Sequence, residues 1–79
     1  MPIAKMEALE KMVDVQKKKY KAEVPIKALV LIQNDKDFGT VWNITVITMQ
    51  FNTLNIKIDA DTGKVVDENM TNILHYKTR

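Results

Sequence analysis

The residue types that carry most enzyme chemistry are nearly missing from this chain of 79 residues: it has no serine, no cysteine, one histidine (His75) and one arginine (Arg79). A nucleophile and base pair of the Ser/His or Cys/His type therefore cannot be assembled within one chain. Threonine or lysine would need a neighbouring base, and the sequence suggests none, so no catalytic residue is assigned and the expectation is a protein that is not an enzyme. His75 stands beside Tyr76 and reads as a partly exposed packing residue, because a zinc role would require partner ligands that the spacing does not supply.

Four carboxylates cluster at Asp59, Asp61, Asp67 and Glu68. Asp-x-Asp ahead of a glycine is how a calcium loop begins, yet an EF-hand needs glycine at its sixth position and glutamate at its twelfth. Here Gly63 is fifth and Met70 twelfth. Asp59 and Asp61 are better read as turn formers that accept backbone amide hydrogen bonds. Gly39 and Gly63 are single turn glycines, and neither opens a phosphate-binding loop. No metal and no cofactor is expected.

The remaining charged feature is Lys17, Lys18, Lys19 and Lys21. Residues 1–27 hold seven lysines against four acids, while the rest holds five basic and six acidic groups, so a net charge of +2 is split into +3 and −1. Such a run can meet phosphates. No arginine accompanies it and its one aromatic, Tyr20, belongs to an apolar stripe, so the main reading is a solvated helix end and nucleic-acid binding is a minor alternative.

These residues sit on an α+β framework. From about 2 to 21, Met6, Leu9, Val13 and Tyr20 form one stripe at helical spacing, flanked by Ile3 and Met12, which predicts an amphipathic helix. Pro2 suits the first turn and the lysines suit the last. Pro25 holds Val24 extended and ends the helix. Alternation then predicts antiparallel strands at about 26–33, 41–49, 54–59 and 64–67, joined by turns at Asn34–Gly39, Gln50–Thr53 and Asp59–Gly63. Residues 68–79 form a tail in which Met70, Ile73 and Leu74 are spaced for one helical turn packing back. One helix against a three- to four-stranded sheet makes a single domain. Without cysteine it is held by apolar packing alone or by association with another copy.

No apolar run reaches the length of a membrane span, and the first residues lack the order of a signal peptide. The expected location is the cytoplasm as written, and extracytoplasmic if a leader or anchor was removed.

Three features in order, the leading helix, the strand Trp42-Asn43-Ile44-Thr45-Val46 and the stretch Ile56-Lys57-Ile58-Asp59-Ala60-Asp61-Thr62-Gly63-Lys64-Val65-Val66, resemble the PepSY family. The last stretch is similar to that family's closing signature of a β-branched strand, an aspartate and a Thr-Gly turn. The resemblance implies a non-catalytic binding or inhibitory module, hence a protein or peptide partner.

One helix covers one sheet face, so Leu29, Leu31, Ile47, Met49 and Phe51 are in apolar surplus. Ile47, Met49 and Phe51 are the candidate surface for a polypeptide partner or for a structural homodimer; Lys17, Lys18, Lys19 and Lys21 are the candidate nucleic-acid patch.

Overall fold

The computed structural model describes residues 2–74. Helix α1 (Lys5–Lys19) is followed by strands β1 (Pro25–Asp35), β2 (Gly39–Thr48), β3 (Asn52–Asp59) and β4 (Val65–Asn72), all antiparallel and in the order β1-β2-β3-β4. Alternation decides which side chains are buried. Ile44 and Val46 of β2 and Leu54, Ile56 and Ile58 of β3 point to the helix and are fully buried, each contributing about 1.5–3 kcal/mol.

The buried stripe of α1 is rotated from the one predicted. Ala8 and Met12 are buried and Val15 and Leu9 partly so, whereas Met6 (67% exposed) and Val13 (38% exposed) face outward. Ala8 explains the rotation: a methyl group lets the helix backbone approach the β-branched surface of β2 and β3 closely, where a larger residue would hold it off. The first turn carries no side-chain cap. Its entry is instead pinned by the sheet, with Ile3 N–H donating to the Ala60 carbonyl and the Trp42 indole N–H donating to the Ile3 carbonyl at 3.0 Å.

Two hairpin turns share one device, Asp35-x-Asp-x-Gly39 and Asp59-x-Asp-x-Gly63. In each, the first aspartate's Oδ1 accepts amide N–H bonds from the second and third residues on, at 2.8–3.2 Å, and the glycine adopts positive φ, +75° and +77°. Asp59 is thereby committed to a turn, and its pKa lies below the ordinary value because the Thr62 and Asp61 amides stabilise its charge.

Three further readings are corrected. The fourth strand continues to Asn72 instead of stopping at Asp67, so Met70 lies within a strand rather than a helical turn, and Ile73 and Leu74 follow in a 3₁₀ turn with Leu74 exposed. The second strand ends at Thr48, which moves Met49 out of the strand into the β2–β3 turn beside Phe51. Asn52, read as a turn residue, opens β3 and is buried. His75, Tyr76, Thr78 and Arg79 lie outside the described residues.

Candidate functional site

The turn Met49-Gln50-Phe51 stands on a partly buried polar knot. Glu23, just past the helix, accepts from Thr48 Oγ1 at 2.8 Å and from Asn52 Nδ2 at 2.9 Å, and Asn72 Nδ2 donates to Asn52 Oδ1 at 3.0 Å. Gln16 Nε2 anchors that segment by donating to the Glu23 carbonyl at 2.7 Å. These bonds join α1, β2, β3 and β4 at one end of the sheet. Thr48 and Asn52 have their buried polar atoms satisfied, which holds the turn in one geometry.

Above the knot the side chains are apolar and open. Met49 is 60% and Phe51 58% exposed. Val24 lies beside them, its carbonyl accepting from Met49 N–H at 2.8 Å, and the Phe51 carbonyl accepts from Ile73 N–H at 2.7 Å, which brings Leu74 near. Ile47, the third candidate, projects half-buried from the face away from the helix, where it pairs with Lys27 and Thr53. Phe51 has a φ of +62°, the sole positive value at a non-glycine residue among those described. A bulky side chain in this region costs about 1–2 kcal/mol relative to glycine. Sequence reasoning picked out Phe51 for its apolarity; nothing in a phenylalanine signals a left-handed backbone.

The rest of the face opposite the helix is polar. Asn55 Nδ2 donates to Asn43 Oδ1 at 2.7 Å, and Lys57 pairs with Asp35 at 2.7 Å with the Phe38 ring 6.0 Å from its ammonium. The Lys57 hydrogen bond, followed by the Asp37 amide, holds the Asp35 carboxyl below its ordinary pKa. Leu29 (51% exposed) and Leu31 (61% exposed) give this face its apolar margin along β1.

The lysine cluster sits at the C-terminal end of α1 with all four residues exposed. Lys19 bonds Glu68 at 3.0 Å, and the Tyr20 hydroxyl donates to the same carboxylate at 3.1 Å. Burial, and then that hydrogen bond, raise the Tyr20 pKa. Asp14, Lys18 and Glu68 line one shallow groove, so the patch is of mixed sign.

The family model described as "Peptidase propeptide and YPEB domain", PepSY, matches residues 3–69. The chain belongs to the PepSY family. The match runs from the helix entry through most of β4, and so includes the Trp42 strand and the Asp59–Gly63 turn. PepSY domains are associated with propeptide-type and inhibitor-type regulation of peptidases. No curated protein and no solved structure matches the chain. Among the described residues no helix is long and apolar enough to cross a membrane, and no three His, Cys, Asp or Glu side chains come together as a metal site.

Proposed function

We propose that this PepSY domain is a non-catalytic regulatory module that binds a polypeptide, in the manner of a propeptide or inhibitor segment, through the apolar end formed by Met49, Phe51 and the neighbouring Ile47. The observation that carries this reading is Phe51. A phenylalanine is kept where glycine would be less strained, and its ring is left in solvent, so the ring's value lies outside the fold. Met49 supplies an adaptable surface next to it, and the Glu23 knot keeps both fixed before binding, which lowers the ordering cost of association.

The test separates binding from folding. Phe51→Gly removes the ring and relieves the backbone, so its thermal midpoint should equal or exceed that of the wild type. Peptides selected by display on the immobilised wild-type domain, or a peptidase it inhibits, should bind Phe51→Gly at least about tenfold more weakly, the loss of one aromatic anchor. Unchanged binding by this variant, or by Met49→Gln with it, would sink the assignment.

A further inference from the structure

Among the described residues nothing pairs with the outer edge of β1. Natural sheets blunt such edges with charge, proline or bulges. On β1 these devices sit at its two ends, as Pro25, Lys27 and a register shift between them at the start and Asp35 at the finish. From Ala28 to Ile32 the strand is Ala-Leu-Val-Leu-Ile, regular in register and without charge, proline or glycine. Leu29 and Leu31 project from one side of it, while Ala28 and Ile32 are exposed on the other, where α1 lies mainly over β2 and β3.

We propose that a second copy of this chain closes this edge, β1 pairing antiparallel with the partner's β1 about a two-fold axis at Val30 to give one continuous eight-stranded sheet. The inference goes beyond the function proposed above, since the β1 edge and the Phe51 turn are different surfaces. Its warrant is the symmetry of the strand. The apolar set facing the helix (Ala28, Val30, Ile32) and the set facing away (Leu29, Leu31) are centred on the same residue, so a self-paired strand matches on both faces at once.

In that register Val30 meets the partner's Val30, Leu29 meets the partner's Leu31 and Ala28 meets the partner's Ile32. Lys27 lies opposite the partner's Gln33 and diagonal to the partner's Asp35, so no like charges are opposed. A slip of two residues either way would set Leu29 against glutamine or Leu31 against lysine. A slip of one would turn the two helices to opposite faces.

Pairing would bury the side chains and backbone of this one edge alone, so the interface falls below the roughly 1,200 Å² at which standard specific interfaces begin and belongs with weak, transient ones. Four strand spacings set the two helices about 19 Å apart. Met6 and Val13 of each copy then line a trough above the joined strands instead of touching across it.

Light scattering between about 10 µM and 1 mM should show the mass rising from 9.1 kDa toward twice that value, with a midpoint near 100 µM as expected for so small an area. Leu29→Lys with Leu31→Lys places lysines opposite one another and should move the midpoint up by about 100-fold without lowering the thermal midpoint of the dilute monomer. The chain has no cysteine, so register can be read directly. Val30→Cys should cross-link to itself under mild oxidation, whereas Leu31→Cys, two residues off the axis from its own copy, should cross-link only when mixed with Leu29→Cys. A wild-type mass of 9.1 kDa at 1 mM overturns the proposal. So does a dimer that withstands the two lysines, or one in which Leu31→Cys links to itself as fast as Val30→Cys.

Discussion

β1 and β4 border the same sheet, and the chain finishes them in opposite ways. At β4 the register shifts between Lys57 and Ile58, Asp67 and Glu68 line the strand, and Lys19 and Tyr20 reach across from the helix to Glu68. At β1 the register is even from Lys27 onward and leucines take the place of the acids. The difference follows from where the helix lies. Its inner stripe of Ala8, Met12 and Val15 sits over β2 and β3 with its lysine flank toward β4, leaving apolar side chains of β1 uncovered on both faces. A guarded edge ends a sheet, and an unguarded apolar edge asks for another strand.

The sharpest contrast should come from one substitution made in both regions. Leu54→Ala empties a fully buried site and is expected to cost about 3–4 kcal/mol, while Leu31→Ala, at the open edge, should cost less than about 0.5 kcal/mol in the dilute monomer. Urea unfolding at low concentration measures both. Equal losses would mean that β1 is covered after all.

Glu23→Ala comes next. It leaves the Asn52 side-chain amide without its acceptor and the Thr48 hydroxyl with only the longer bond to the Asn52 carbonyl at 3.3 Å, and is expected to cost about 1–3 kcal/mol, loosening the Phe51 turn. At the guarded edge, Glu68→Ala removes the acceptor of Tyr20 and Lys19. Because Lys19 is largely exposed, the loss should be about 1 kcal/mol and fall chiefly on the tyrosine bond, so Lys19→Ala alone should cost much less.

The smallest effect is one of pH. Asp35 and Asp59 both titrate below the ordinary 3.8, through the Lys57 bond and the turn amides respectively. A depressed folded value means that the unfolded chain takes up its proton first. The stabilisation is thus fully present above 3.8 and is lost as pH falls through the lower folded values. Urea midpoints should be level from neutral pH down to that range and then drop, and Asp35→Asn with Asp59→Asn should flatten the drop.

Sequence carries most of this fold. β2 and β3 were legible because their β-branched residues alternate without interruption, and both hairpin turns because aspartate and glycine state their own geometry. The far half of β4 was hidden, since Asp-Glu-Asn-Met-Thr-Asn has no strand composition and owes its pairing to the neighbouring β3. The helix stripe was misassigned for a similar reason: Met6 and Val13 outweigh Ala8 on any hydropathy scale, while close approach to the sheet favours the smaller residue. Of the candidate site, the apolarity of Ile47, Met49 and Phe51 could be read directly. The strain at Phe51 and the Glu23 knot depend on contacts between residues far apart in the chain.

Amide hydrogen exchange followed by mass spectrometry at two protein concentrations, about 5 µM and 1 mM, tests the central contrast between the edges most directly, because these concentrations lie on either side of the expected association. The account expects the outward-facing amides of residues 28–32 to be slowed about fourfold to fivefold at the higher concentration, with those of β4 unchanged. Exchange in β1 that is the same at both concentrations, or protection that appears along β4 instead, would contradict it.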